Sequence, residues 1–160
     1  MNDRLAARLR ETFGTSIEDT TEFRGDLTVT VTKDRIVDVC RFLRDDPGLA
    51  FVMVIDVLGV DRYRPEGRFE VVYILSSNTH RHTVRLKVKV DEEAPVVPTV
   101  TGVWPGAEWH EREVYDMFGI TFAGHPDLRR LYMPEDYEHF PLRKDFPLMG
   151  IPDSLPLPRR

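Results

Sequence analysis

Hydrophobic and polar residues alternate along two stretches of the chain, residues 27–32 and 83–90. Because successive side chains of a β-strand point to opposite faces, this pattern predicts two strands that each cover a core on one side. Residues 69–76 are rich in β-branched and aromatic side chains and predict a further strand. In residues 83–90 the outward positions form a basic row, which we interpret as a solvated face that protects an edge strand rather than as a binding patch. That row is Arg85, Lys87 and Lys89.

Residues 49–58 are almost continuously apolar, which is typical of a central strand covered on both faces. Between this run and the strand at 27–32, a 3.6-residue periodicity predicts a helix over residues 35–44. A strand, a helix and a strand in this order predict a parallel pair joined by a crossover, and the two later strands predict an antiparallel meander. We therefore expect an α+β fold with a four-stranded mixed sheet and helices on one face.

A second change of pattern follows residue 107. Residues 108–118 have the apolar spacing of a helix, and Gly119 lies where a residue with positive φ ends one. Seven prolines follow up to residue 158, and each removes a backbone donor, so long helices and central strands are excluded there. We predict an α+β domain over residues 1–118 and an extended, proline-rich C-terminal arm over residues 119–160 that packs on partner subunits.

Composition limits the class of protein. The 160 residues suffice for one core, and the formal charge of -5 argues against nucleic acid as the partner. The single cysteine, Cys40, excludes a disulfide framework and a cysteine-ligated iron–sulfur cluster within this chain. No apolar run approaches the length of a membrane span, so we expect membrane association only through a partner.

The chain contains residues that could bind a metal or act in catalysis, but they match no complete sequence motif. Histidine occurs at positions 80, 82, 110, 125 and 139, yet His110 is not followed by a second histidine one helical turn later, as a zincin helix requires. A carboxylate pair on the helix at 108–118 is chemically able to act as acid and base. Glu108, Arg112 and Asp116 lie along one line of that helix, so an ion-pair network is the favoured interpretation.

Residues 125–147 combine arginine, acidic, aromatic and proline residues at high density. Arginine and aromatic side chains are enriched at the centres of protein–protein interfaces. An extended segment with such side chains predicts ordering against the surface of another protein.

Residues 111–131, which read EREVYDMFGITFAGHPDLRRL, and residues 141–147, PLRKDFP, closely resemble the signature of the C subunit of respiratory complex I, the NADH:quinone oxidoreductase. The resemblance implies a noncatalytic scaffold subunit of the peripheral arm of this proton-translocating enzyme, on the cytoplasmic side of the bacterial inner membrane. It implies contact chiefly with the D subunit, which helps to form the quinone site, and also with the B and I subunits. Flavin, iron–sulfur clusters and quinone are expected in or near other subunits, with no cofactor, metal or catalytic residue in this chain.

Matching positions of the signature identify the candidate interface residues Glu111, Arg112, Asp116, Phe118, Gly119, His125, Pro126, Arg129, Arg130, Arg143 and Asp145. Two other functions stay open. One is the homologous subunit of a membrane-bound hydrogenase or of another complex that is not fed by NADH. The other is a stand-alone metal hydrolase that uses the histidines.

Overall fold

A computed structural model of the chain describes residues 2–150. It contains three α-helices and seven strands in the order α1, β1, β2, α2, β3, β4, β5, β6, α3, β7. The helices are α1 Asn2–Phe13, α2 Ile36–Asp45 and α3 Ala107–Phe118. The strands are β1 Ile17–Phe23, β2 Asp26–Val31, β3 Met53–Asp61, β4 Phe69–Ser77, β5 His82–Val90, β6 Val96–Pro98 and β7 Thr121–Ala123.

The main sheet has five strands in the order β1, β2, β5, β4, β3, so the prediction of four strands was wrong. The additional strand is β1, whose sequence IEDTTEF is mostly polar and exposed. It pairs antiparallel with β2 at the sheet edge. Both faces of this edge strand are exposed to solvent, so apolar and polar residues do not alternate along it. The sequence pattern therefore missed it.

The strand at residues 49–58 was predicted to be central, but β3 is an edge strand. Met53, Ile55 and Leu58 are 39 to 47% exposed there. The predicted parallel pair of β2 and β3 was also wrong, because β2 pairs in parallel with β5. The connection through α2 therefore crosses two strands before β3 joins β4. The predicted antiparallel meander of β3, β4 and β5 was confirmed.

Side chains from all three helices and from the inward face of the sheet form one buried apolar cluster. This agrees with the prediction of helices on one face. On the opposite face of β5 the basic row pairs with acidic residues of β2, β4 and β1. The row is polar as predicted, but its assignment to an edge strand was wrong, since β5 lies in the middle of the sheet.

After β5 the chain forms a second, two-stranded parallel sheet from β6 and β7. Helix α3 lies between these two strands in sequence, so their pairing brings the chain after α3 back beside the end of β6. There the Thr99 N–H donates to the Ala123 carbonyl at 3.0 Å. Residues 124–150, called the C-terminal segment below, contain no helix or strand. The predicted domain boundary after residue 118 stays a prediction, and the predicted arm extends into residues 151–160, which lie outside the described residues.

Candidate partner-binding face

The carboxylate of Asp116 connects α3 to the C-terminal segment. It is fully buried, and its Oδ2 accepts hydrogen bonds from the backbone N–H of Leu131, Tyr132 and Met133 at 2.7 to 3.0 Å. Its Oδ1 accepts a hydrogen bond from Nη1 of Arg130 at 2.7 Å. Burial by itself raises the pKa of Asp116, but these donors together hold it below its ordinary value. Asp116 is therefore an ionised acceptor at neutral pH.

The side chain of Arg130 packs inside this chain. It is 8% exposed, and it donates to the carbonyls of Asp116 and His139 as well as to the Asp116 carboxylate. Its guanidinium also lies over the rings of Tyr137 and Phe140. Arg130 thus joins both halves of the C-terminal segment to the end of α3.

A further contact is made where α3 ends. Gly119 has a φ of 73° and ends the helix in the left-handed region, as predicted. A Cβ at this position would lie 2.7 Å from both Arg143 and Phe140, so the segment approaches the backbone directly. Arg143 Nε donates to the Phe118 carbonyl at 2.6 Å. Burial lowers the pKa of Arg143, which is consistent with its enclosed position.

The end of the described segment contacts the corner between β3 and β4. Asp61 and Arg68 form a buried ion pair at 3.0 Å there. Lys144 N–H donates to Asp61 at 2.8 Å, and the Asp145 carboxylate lies 2.8 Å from Arg68. Burial raises the pKa of Asp61, but Arg68 and the backbone N–H groups of Lys144 and Tyr63 outweigh this effect, so the pKa is lowered. The C-terminal segment is therefore bound to its own domain at both ends.

Glu111 and His125 are buried on the other side of α3. Glu111 Oε1 accepts the Val100 N–H at 2.8 Å, and Thr99 Oγ1 lies 2.5 Å from Oε2. Burial raises the pKa of Glu111 to about 7, although these two donors oppose the shift. The His125 side chain is also fully buried, with Nε2 4.0 Å from Glu111. These residues connect α3 to the turn after β6 and to the segment after β7.

Several exposed side chains lie along the outer side of α3. Trp109 is 60% exposed and stacks under the Arg112 guanidinium, whose Nε donates to the Arg129 carbonyl. Tyr132 is 64% exposed, and its hydroxyl donates to Glu113 at 3.3 Å. Glu113 raises the pKa of that phenol. These exposed residues form what we call the partner face: Trp109, Glu113, Arg129 and Tyr132.

The structure divides the eleven predicted interface residues into two groups. Side chains that point into this chain's own interior or pack against its backbone are those of Glu111, Arg112, Asp116, Phe118, His125, Arg130 and Arg143, and Gly119 is buried with them. Pro126, Arg129 and Asp145 are exposed. An interface role for the eleven residues stays a prediction, but in this conformation the buried group acts within the chain.

Two sequence interpretations differ from the geometry. The proposed line of ion pairs along α3 is absent from the described residues, because Arg112 donates to the Arg129 and Arg130 carbonyls and Asp116 pairs with Arg130. Trp109 and Tyr132 were not among the predicted residues; a large aromatic side chain on the outer side of α3 was the available signal for Trp109.

Within residues 2–150 no group of three or more histidine, cysteine or acidic side chains is arranged to hold a metal ion. No helix in that range is long and apolar enough to cross a membrane.

Comparison with known families gives one match over most of the chain. Residues 29–152 match the model of the family described as the respiratory-chain NADH dehydrogenase, 30 Kd subunit. This chain belongs to that family. It is 56% identical to the C subunit of the NADH-quinone oxidoreductase of Roseiflexus sp. (strain RS-1) over 147 residues, which cover 92% of this chain and 84% of the relative. It is 51% identical to the C 2 subunit of the Rhizobium etli (strain CIAT 652) enzyme, over 93% of this chain and 79% of that relative.

Two solved structures are similar to this member of the 30 kDa subunit family. A trypsin-resistant fragment of Nqo5 has a TM-score of 0.65 and 36% identity, and the match covers 78% of this chain and 99% of the fragment. A chain of the membrane-bound sulfane sulfur reductase, an archaeal respiratory membrane complex, has a TM-score of 0.76 and 25% identity. That match covers 92% of this chain and 86% of the other. The relatives are subunits of an enzyme complex, so the partners of this family member are other subunits of such a complex.

Proposed function

We propose that this chain is a noncatalytic scaffold subunit in the peripheral arm of a proton-translocating NADH:quinone oxidoreductase. It supports electron transfer from NADH to quinone by holding the D subunit, which helps to form the quinone site, and it also contacts the B and I subunits. The arm lies on the cytoplasmic side of the bacterial inner membrane. The observation that carries this proposal is the partner face, which presents exposed aromatic and arginine side chains on a segment that buried polar contacts hold in one shape.

The arrangement suits binding more than chemistry. A partner that meets an ordered surface loses less conformational entropy on binding than one that must order a free segment. Trp109, Tyr132 and Arg129 are of the residue types that dominate binding energy at interfaces. Arg129 now pairs with Asp127 through two hydrogen bonds of 2.7 Å, and its planar guanidinium is able to bind a partner carboxylate in the same bidentate manner.

Electron transfer in this proposal belongs to flavin, iron–sulfur clusters and quinone held in or near other subunits. The side chain of Cys40 is buried in the apolar core, and burial raises the pKa of its thiol. A buried neutral thiol is a poor nucleophile and a poor metal ligand. This supports a structural role for the one cysteine of the chain.

The test is affinity purification of the tagged full chain from its native membranes under mild detergent, with identification of the co-purifying subunits. We expect the D, B and I subunits with the wild-type chain. Recovery of the chain as a lone monomer would refute the proposal.

Arg129→Ala separates binding from folding in the same experiment. The Arg129 side chain is 63% exposed, so we expect strongly reduced recovery of partner subunits and a nearly unchanged melting temperature of the isolated chain. The matched control is Arg4→Ala, which removes an exposed arginine of α1 and should alter neither quantity. A large drop in the melting temperature of Arg129→Ala would place this arginine in the fold of its own chain instead.

A second candidate function is supported by the fold match to a chain of an archaeal respiratory complex that reduces sulfane sulfur. The chain would then be the homologous subunit of a membrane-bound hydrogenase or of another complex that is not fed by NADH. Electron-donor specificity resides in other subunits, so the purified partners distinguish the two. A flavin-containing NADH-oxidising subunit among them supports the first function, and a hydrogenase or sulfur reductase subunit supports the second.

A further inference from the structure

The part of the chain that the structure describes contains four buried acidic residues, Asp61, Glu70, Glu111 and Asp116. Three of them form ion pairs with arginine at 2.7 to 3.0 Å. Glu111 differs, because no arginine or lysine lies within 4.0 Å of its carboxyl group in residues 2–150, and the one basic side chain at that distance is His125. A buried carboxylate without a cationic partner is costly, so such a group favours its protonated form.

His125 does not act as a cation toward Glu111 in this geometry. Its Nε2 donates to the Glu108 carbonyl at 3.1 Å. Its Nδ1 accepts the backbone N–H of Asp127 at 3.0 Å. A ring nitrogen that accepts a hydrogen bond carries no proton, so these two contacts specify the neutral tautomer with the proton on Nε2.

The hydroxyl groups beside Glu111 can serve both protonation states. When Glu111 is a carboxylate, the Thr99 hydroxyl donates to Oε2 and accepts the hydroxyl of Thr101, which lies 2.9 Å away. When Glu111 is a carboxylic acid, its O–H donates to Thr99 and the Thr99 hydroxyl turns to donate to Thr101. The Val100 N–H donates to Oε1 in both states. Glu111 and the Thr99 hydroxyl can therefore keep a hydrogen bond between them in both protonation states.

Among the described residues, the other elements packed around Glu111 bring no lysine or arginine within 4.0 Å of its carboxyl group. Cys40 of α2 and Tyr73 of β4 are fully buried in the same interior, and burial raises the pKa of each above its ordinary value. Both are neutral at physiological pH. The raised pKa of Glu111, about 7, agrees with this environment.

We propose that Glu111 is a protonation switch inside the fold. As a carboxylic acid it stabilises the junction of α3, the turn after β6 and the segment after β7, and loss of its proton weakens that junction. The switch acts on the stability of this chain alone and does not depend on the function proposed above.

Urea unfolding of the full chain and of Glu111→Gln between pH 5 and pH 8 tests the switch. The glutamine amide imitates the protonated acid, since its oxygen accepts the Val100 N–H and its NH₂ donates to Thr99. A folded-state pKa raised above the unfolded value gives stability that is present at low pH and lost as pH rises through the folded pKa. The wild-type unfolding constant should therefore rise relative to that of Glu111→Gln by about tenfold per pH unit from pH 5 to pH 7, and should level off above.

Glu11→Gln is the matched control, because it neutralises an exposed glutamate of α1 that lies outside the partner face. Its unfolding constant should keep a nearly constant ratio to that of the wild type across this range. A constant ratio for Glu111→Gln as well would overturn the proposal.

A second measurement does not require Glu111→Gln to fold. In ¹³C NMR of the folded wild-type chain with labelled glutamate carboxyl groups, one carboxyl should titrate with a midpoint near 7. Thr99→Val removes the hydroxyl donor to the charged form, and should move that midpoint upward. Titration of every glutamate carboxyl below pH 5.5 in the wild type would exclude the switch.

Discussion

Asp116→Asn removes one charge from the interior with almost no change of volume. In the wild type, four hydrogen bonds converge on this carboxylate, three from backbone N–H groups and one from Arg130. An asparagine keeps one accepting oxygen and turns an NH₂ group toward either Arg130 or the three backbone donors. The NH₂ group then faces hydrogen-bond donors and cannot accept from them. Arg130 also loses the negative charge with which it pairs.

The size of the effect follows from the burial of both partners. Removal of one member of a buried ion pair costs about 3 to 5 kcal/mol. Arg130 keeps hydrogen bonds to two carbonyls, so the lower end, about 3 kcal/mol, is the expected loss. With a urea m value of about 2 kcal/mol per M, the unfolding midpoint should fall by about 1.5 M. Such a loss is a large part of the stability of an ordinary domain, about 5 to 15 kcal/mol.

Equilibrium urea unfolding at pH 7 measures the loss, with Asp136→Asn as control because that carboxylate is exposed on the same segment. Hydrogen exchange of the amides of residues 131–133 should accelerate in Asp116→Asn alone. Because the pKa of Asp116 is lowered by folding, its stabilisation is present above the unfolded pKa and is lost as pH falls through the folded pKa. The two proteins should thus converge at acid pH. A midpoint shift below about 0.3 M with unchanged exchange would refute the inference that Asp116 holds the C-terminal segment on α3.

Two further predictions concern the core. Gly59→Ala would place a Cβ 2.5 Å from the Phe118 ring, so we expect a loss of about 1 to 3 kcal/mol in thermal unfolding. Gly102→Ala has open space at its Cβ and should change stability by less than about 0.5 kcal/mol. Equal losses in the Gly59 and Gly102 variants would contradict the close packing of α3 on β3. Cys40 should stay unreactive toward a disulfide reagent in the folded chain and react after unfolding, because its thiol is buried with a raised pKa; rapid stoichiometric labelling of the native chain would contradict its placement.

Local patterns predicted those elements in which one face meets the core and the other meets water. The alternation in β5 and the periodicity of α3 identified both elements within one or two residues. Gly119 was identified as a helix end because a positive φ is a local property. By contrast, β1 is polar on both faces and gave no alternation.

The candidate site was likewise only partly predictable from the sequence. The density of arginine, aromatic and proline residues marked the C-terminal segment as unusual, and the family resemblance named its class. The pattern did not show which of its charged residues serve the chain itself. Asp116 and Arg130 are 14 residues apart, and such a pairing depends on the path of the chain after β7.

The amino-acid sequence by itself determined the kinds of elements, the single core and the family. Helix and strand periodicity and the family signature each depend on residues that are close together in the chain. Only the tertiary structure decided the order of the five strands, the edge position of β3 and the burial of most of the predicted interface residues. Strand order depends on contacts between residues far apart in the chain, and an apolar run carries no record of which neighbour it pairs with. For the same reason, the sequence does not distinguish the carboxylates of Asp116 and Glu111, which lie on the same helix. In the fold, Asp116 pairs with Arg130, whereas no arginine or lysine reaches Glu111 among the described residues.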